Sequence, residues 1–225
     1  MQKQSFKDSY MTWIILIVLF VVFLMETALG GSQNTAVLIK MGAMSNYAVV
    51  AGGQWWRLFT AQFLHMGIMH IVSNAVMIYY LGVYMEQILG HWRFLAVYLL
   101  SGIGGNLLSL ALGSDQAISA GASTALFGLM GAMTAIGLRN RDNPVLVYLG
   151  KQALWLAIIN IVLDLFDTNI DIQGHIGGLV TGLLLAIILG DRALQKYSTK
   201  WRIVALCVLI VYLVATVRMG MVIRF

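Results

Sequence analysis

The fold class of this chain is decided by its first apolar run, residues 12–29, which read TWIILIVLFVVFLMETAL. The hydrocarbon core of a bilayer is about 30 Å thick, and a helix needs about 20 residues to cross it. The run is too long for the apolar part of a signal peptide, which has about 7–15 residues, and no convincing small-residue cleavage site accompanies it. We therefore interpret it as a retained membrane span.

Six further apolar runs follow, and their predicted bounds are residues 63–83, 93–113, 119–138, 147–166, 174–190 and 203–222. Unpaired backbone amides in lipid cost several kcal/mol each, so helices are the economical spanning form, and the runs are too long for barrel strands. The sequence predicts an all-α, polytopic membrane bundle of about seven transmembrane helices. Residues 1–190 form a six-helix core, and residues 191–225 a cytoplasmic linker and a seventh helix.

The composition agrees with a membrane protein and excludes several other classes. The chain has 225 residues, of which 60% are hydrophobic and 10% charged, whereas a soluble domain has about 25% charged residues. Its net charge of +5 forms no patch with interleaved aromatic residues, which argues against a nucleic-acid partner. The single cysteine, Cys207, cannot form an intrachain disulfide, which excludes a disulfide-stapled secreted fold.

Loop charges predict the orientation, because lysine and arginine concentrate in cytoplasmic loops. With the N-terminus inside, ten of the fourteen basic residues fall on the inner side. Those ten are Lys3, Lys7, Arg93, Arg139, Arg141, Lys151, Arg192, Lys196, Lys200 and Arg202. The outer side receives Lys40, Arg57, Arg218 and Arg224. We expect a bacterial cell membrane, with the N-terminus cytoplasmic and the C-terminus outside.

The loop between the first two spans, residues 30–62, is much longer than the 2–8 residues that usually connect bundle helices. It ends in Gln54-Trp55-Trp56-Arg57. Adjacent tryptophans favour the membrane–water interface. We therefore expect this loop to lie on the outer leaflet.

Polar residues inside spans are costly and need a reason. The second predicted span has His65 near its start and carries His70 and Asn74, which are four residues apart and so share one helical face. His65 lies about 140° around the helix from His70. Asn74 alone fits a structural hydrogen bond equally well, but the shared face favours a functional pair.

Ser123 and His175 open the fourth and sixth predicted spans at the same depth. Ser123 lies near a helix N-terminus, where free N–H groups and the helix dipole stabilise an anion. Each residue alone fits helix packing or a structural hydrogen bond, because both helices carry stripes of small residues. These stripes are Gly121, Ala125, Gly128, Gly131 and Ala132 on one helix, and Gly174, Gly178 and Gly182 on the other. The shared depth favours a nucleophile and its general base.

Together these motifs resemble the rhomboid intramembrane serine proteases in their six-plus-one transmembrane form. The resemblance covers roughly residues 10–190 and rests on His65-x4-His70-x3-Asn74, Gly121-x-Ser123 and Gly174-His175. Two further features also resemble that family, namely the pair Trp56-Arg57 in the long loop and Glu86 near the inner end of the second span.

The resemblance implies an intramembrane serine endopeptidase that needs no cofactor or metal. It would cleave single-span transmembrane proteins near the outer membrane face through a Ser–His dyad. Ser123 would be the nucleophile and His175 the general base, and His70 and Asn74 would stabilise the oxyanion together with the Ser123 N–H. The supporting residues would be His65, Gly121, Trp56, Arg57, Glu86 and Phe127.

Two positions depart from the family pattern. Thr124 stands where glycine usually follows the serine, and we expect it to narrow the site or slow the reaction. Phe127 stands where a tyrosine often stacks on the histidine, and it keeps the stacking face but loses the hydroxyl. Neither change removes a reacting group.

Three other readings remain open. Asp164 is available as an acid that orients His175, but we interpret it as a helix-end or loop contact. The chain also fits a weakly active or inactive rhomboid-like membrane chaperone or adaptor. A membrane haem protein with His70 and His175 as ligands is the third reading, but it leaves Ser123 and Asn74 unexplained. A zinc protease would want His-Glu-x-x-His, which is absent.

Overall fold

The computed structural model of the chain describes residues 9–167, 169–190 and 197–222. Part of the predicted cytoplasmic linker, residues 191–196, lies outside the described residues, as do Lys3, Lys7 and Arg224.

The described chain is built from helices and one short sheet. The helices are α1 Tyr10–Ala28, α2 Thr35–Met41, α3 Asn46–Val50, α4 Arg57–Thr60, α5 Ile68–Leu89, α6 His91–Leu112, α7 Ser123–Arg139, α8 Pro144–Asp164, α9 Ile172–Leu189 and α10 Thr199–Gly220. A 3₁₀ turn covers Ala61–Phe63, and the strands are β1 Met44–Ser45 and β2 Ile118–Ser119. The strands pair antiparallel, with Met44 opposite Ser119.

Within the described residues, six helices are long and apolar enough to cross a membrane, namely α1, α5, α6, α8, α9 and α10. The remaining long helix, α7, has 17 residues, and every side chain from Thr124 to Gly137 is buried. Helices α5, α6, α8 and α9 pack around α7. This arrangement confirms the predicted polytopic helical bundle.

Two predicted spans start several residues before the helix that forms them. The fourth span was expected from residue 119, but the helix begins at Ser123 because the preceding residues pair as β2. The second span was expected from residue 63, but α5 begins at Ile68, after Gly67 turns the backbone with φ +90°. Hydropathy marks how apolar a segment is, and it does not mark where the backbone becomes helical. His65 therefore lies before α5, not on it.

The central helix α7 packs against α9 through glycines, as the small-residue stripes predict. A Cβ on Gly182 would lie 1.9 Å from the Gly128 carbonyl oxygen, and one on Gly178 would lie 2.0 Å from the Thr124 carbonyl oxygen. Only glycine permits backbones to approach this closely. This contact brings the N-terminal ends of α7 and α9 together.

The C-terminal helix α10 packs against α6 and α9. Tyr212 donates a hydrogen bond from its hydroxyl to the Gly104 carbonyl oxygen on α6, at 2.7 Å. Farther along, a Cβ on Gly220 would lie 2.6 Å from Leu110 Cγ. The seventh long helix is therefore docked on the helices that carry and support the site described next.

Candidate active site

Ser123 and His175 meet where α7 and α9 begin. Ser123 is the first residue of α7, and its Oγ lies 2.8 Å from Nε2 of His175. His175, in the first turn of α9, is 7% exposed. A serine hydroxyl and an imidazole nitrogen at this distance can pass a proton between them.

Phe127 holds the plane of the His175 ring. It lies one helical turn after Ser123 on α7, and its ring stacks on the imidazole with centroids 4.2 Å apart and planes 15° apart. Ring stacking of this kind restricts rotation of the histidine. The phenylalanine therefore supplies the stacking face at the position where the family often has tyrosine.

Asp164 contacts the other nitrogen of the same ring, which corrects the interpretation of this residue as a helix-end or loop contact. Its Oδ2 lies 2.7 Å from Nδ1 of His175, and both side chains are buried. Asp164 is the last residue of α8 and precedes His175 by 11 positions. The chain turns between α8 and α9 and brings the two residues face to face.

These contacts also bear on the haem reading. Protein groups engage both nitrogens of His175, since Ser123 holds Nε2 and Asp164 holds Nδ1. In this arrangement, neither nitrogen is available for an axial bond to iron.

Gly121 makes room for His70 beside Ser123. A Cβ on Gly121 would lie 2.8 Å from His70 Nε2 and 3.6 Å from Ser123 Oγ. The backbone at Gly121 has φ +152°, which side-chain-bearing residues rarely adopt. The edge of the His70 ring and the Ser123 hydroxyl thus both border the space that a side chain at Gly121 would occupy, and a larger residue there would displace the ring.

Asn74 carries a buried donor that has no partner among the described residues. It lies one turn after His70 on α5 and is 6% exposed. In the described part of the chain its Nδ2 has no hydrogen-bond partner. A buried amide left unpaired costs about 1–3 kcal/mol, so the group needs an explanation, and a catalytic role is one of those that such groups have in folded proteins.

The side chain of Thr124 points away from Ser123, toward glycines on two other helices. A Cβ on Gly105 of α6 would lie 2.9 Å from Thr124 Cβ, and one on Gly174 of α9 would lie 3.0 Å from Thr124 Cγ2. Small residues on α6 and α9 thus create the space that the extra methyl group fills. That Thr124 narrows the site or slows the reaction stays a prediction.

His65 and Glu26 support this end of the bundle. The ring of His65 lies edge-on to that of His70 with centroids 5.1 Å apart, and its Nε2 accepts from the Ala122 N–H at 3.4 Å. The His65 N–H donates to Oε1 of Glu26 at 3.0 Å. Sequence reasoning missed Glu26, although a carboxylate inside the first apolar run was the signal that could have identified it.

Arg57 ties together the long loop. Its guanidinium donates to the carbonyl oxygens of Ile39 and Ala43, each at 2.8 Å, and to Gln54 at 2.7 Å. It also lies over the Trp56 ring, 4.8 Å from the centroid. Burial lowers the pKa of Arg57, and these acceptors compensate for the water that the charge loses.

Glu86 lies near the other end of α5, far along the helix from His70. Its carboxylate accepts from the N–H groups of Met11 and Thr12, at 2.9 and 2.8 Å, and from the Thr12 hydroxyl at 2.7 Å. It also contacts Nδ1 of His91. These bonds join the start of α1 to the end of α5.

The profile of the Rhomboid domain family matches residues 52–192, which include every residue of the site around Ser123. This chain belongs to the rhomboid family. It is 38% identical over 187 residues to Rhomboid protease GluP of Bacillus subtilis (strain 168), an alignment that covers 83% of this rhomboid and 36% of that relative. The chain thus spans about a third of the length of GluP.

Two plant relatives match over comparable shares of the chain. RHOMBOID-like protein 6, mitochondrial, of Arabidopsis thaliana is 38% identical over 88% of this rhomboid and 68% of its own length. RHOMBOID-like protein 1 of the same plant is 38% identical over 76% of this rhomboid and 43% of its own length. The family contains proteins named as proteases and others named only as rhomboid-like.

Proposed function

We propose that this rhomboid is an intramembrane serine endopeptidase that cleaves single-span transmembrane proteins near the outer face of the membrane. The observation that carries the proposal is the 2.8 Å contact between Ser123 Oγ and His175 Nε2 at the start of α7. The similarity to a relative named Rhomboid protease GluP supports the same reaction class.

In the proposed mechanism, His175 Nε2 takes the proton of Ser123 as Oγ attacks a peptide carbonyl carbon. The tetrahedral intermediate collapses, the C–N bond breaks, and the imidazolium gives its proton to the departing amine. Water then attacks the acyl-enzyme while His175 takes a proton from it. Release of the carboxylic acid returns the proton to Ser123, so the enzyme ends as it began.

The negative charge that develops on the carbonyl oxygen needs donors. The Ser123 N–H lies in the first turn of α7, where no preceding carbonyl bonds to it within the helix. The unpaired Nδ2 of Asn74 and the ring of His70 supply further donors on the facing helix. Donors that are already in place and shielded from water stabilise the transition state without reorganisation.

We place the site at the outer side, with the N-terminus cytoplasmic and the C-terminus outside, as the loop charges predict. Single cysteines at the exposed positions Arg141 and Asn169, in a Cys207→Ser background, test this orientation. An impermeant maleimide added to sealed cells should label the cysteine at position 169 and not the one at 141. Labelling of both from outside would contradict the proposed topology.

The nucleophile is tested on the purified full chain with a fluorophosphonate probe and a single-span reporter substrate. We expect Ser123→Ala to abolish both covalent labelling and cleavage. Ser101→Ala is the matched control, because Ser101 is a buried serine on α6 whose hydroxyl donates to its own helix, at Val97 O. It should retain labelling.

Two outcomes would overturn the proposal. Cleavage of the reporter by Ser123→Ala protein at the wild-type rate would exclude a serine mechanism. A folded wild-type protein that neither labels nor cleaves would favour the adaptor reading.

A further inference from the structure

The end of α8 contributes a buried carboxylate that contacts Nδ1 of His175, the ring nitrogen for which the dyad mechanism names no partner. We propose that Asp164 is a positioning residue that extends the Ser123–His175 pair to a Ser–His–Asp arrangement. The inference rests on the proposed function and concerns the same site.

The contact between the carboxylate and the imidazole is shielded from water. Asp164 Oδ2 lies 2.7 Å from His175 Nδ1, and the exposed fractions of the two side chains are 8% and 9%. Among the described residues, the Asp164 carboxylate forms its side-chain hydrogen bond with His175. Limited exposure makes the interaction stronger than the same contact at a surface.

The chemistry requires one tautomer of His175. A neutral imidazole carries a single N–H, and Nε2 must be free of it to accept the proton of Ser123. A carboxylate at Nδ1 holds the proton there, which leaves the Nε2 lone pair facing the hydroxyl. The same negative charge stabilises the imidazolium that forms during attack.

A helix-capping role does not account for this aspartate. The C-terminal end of a helix carries partial negative charge, so a carboxylate on its last residue is unfavourable there. Asp171, by contrast, caps α9 in the ordinary way and accepts from the Gly174 N–H at 2.8 Å. The hydrogen bond to the His175 imidazole offsets the unfavourable interaction between the Asp164 carboxylate and the negative end of α8.

The test compares Asp164→Asn and Asp164→Ala with wild type, in the purified full chain reconstituted in bilayers. Asparagine keeps the size and a hydrogen-bonding group but has no charge, and with its NH₂ toward Nδ1 it would hold the ring proton on Nε2. We expect both variants to lower kcat by at least about tenfold and by up to about 10⁴-fold, the loss seen when this acid is replaced in a soluble triad enzyme. KM should change little.

A purely structural link between α8 and α9 makes a different prediction. It would leave kcat of the asparagine variant near wild type, because the hydrogen bond is kept, and would lower the melting temperature of the alanine variant. Asp167→Asn is the matched control, since Asp167 is an exposed carboxylate three residues beyond Asp164 that accepts from Asn169. It should leave kcat, KM and melting temperature unchanged.

The outcomes for the two Asp164 variants distinguish failure of the inference from failure of the proposed function. Wild-type kcat in folded Asp164→Asn overturns the inference but leaves the serine mechanism intact. A wild-type protein with no probe labelling overturns the proposed function instead. If one variant fails to fold, kcat of the other decides. If neither folds, Asp164 is a structural residue and the inference fails.

Discussion

Two buried carboxylates in this rhomboid each contact a histidine, Asp164 with His175 and Glu86 with His91. The first pair lies where α7 and α9 begin. The second lies at the far end of α5, where α1 and α6 begin. The same two chemical groups thus occur in two places in one bundle.

The pairs differ in what surrounds them. Glu86 also accepts from two N–H groups in the first turn of α1 and from the Thr12 hydroxyl, so it acts as a cap for that helix. His91 is a quarter exposed and lies against the Tyr10 ring. No nucleophilic group of the described residues contacts its second nitrogen.

Around Asp164 the arrangement is the reverse. The second nitrogen of His175 faces a serine hydroxyl, and an unpaired amide of Asn74 lies on the facing helix. A carboxylate–histidine pair therefore becomes capable of acyl transfer only when a nucleophile meets its free nitrogen. Acyl transfer also requires free hydrogen-bond donors beside the nucleophile, where they can stabilise the oxyanion.

The largest expected effect separates the two histidines. His175→Ala removes the general base and should lower kcat by more than about 10⁴-fold, as in other serine enzymes whose members act as a unit. His91→Ala removes a contact to Glu86, the carboxylate that caps α1. It should leave kcat within a few-fold of wild type while lowering the melting temperature. Reporter cleavage and thermal unfolding of both variants measure this. Equal loss of kcat in folded protein would erase the distinction between the two pairs.

A smaller effect separates two buried asparagines. Asn74→Ala should lower kcat by about 10²–10³-fold at most, because one oxyanion donor is lost, with little change in stability since its Nδ2 is unpaired. Asn106→Ala is the control: its Nδ2 donates to Leu58 O at 2.8 Å, so stability should fall and kcat should not. An early-melting Asn74→Ala with normal turnover would refute the oxyanion assignment.

The smallest effect concerns the rings that flank the histidines. Phe127→Ala removes the ring stacked on His175, an interaction worth about 0.5–1.5 kcal/mol, and should lower kcat by roughly two- to tenfold. Tyr10→Ala removes the corresponding ring at His91 and should leave kcat unchanged. Kinetics on the two purified variants would test this, and an unchanged kcat in Phe127→Ala would show that stacking does not orient the base.

The candidate site was partly accessible from the sequence. Ser123, His175, His70 and Asn74 stand in motifs that resemble a known family, and their depths in the spans agree. The surroundings of Thr124 could not be read from the sequence, because its side chain lies against Gly105 and Gly174 of two other helices. Glu26 was overlooked within an apolar run, and its partner lies 39 positions away.

By itself, the sequence determined the number and nature of the long helices and the glycine stripes that join α7 to α9. Burial in lipid depends on the local density of apolar residues, and close packing depends on local spacing. Tertiary structure alone decided where α5 and α7 begin and which nitrogen of His175 faces which partner. Hydropathy does not predict these helix starts and contacts, because they depend on the pairing of β1 with β2 and on the turn from α8 into α9. That turn is what brings Asp164 against His175.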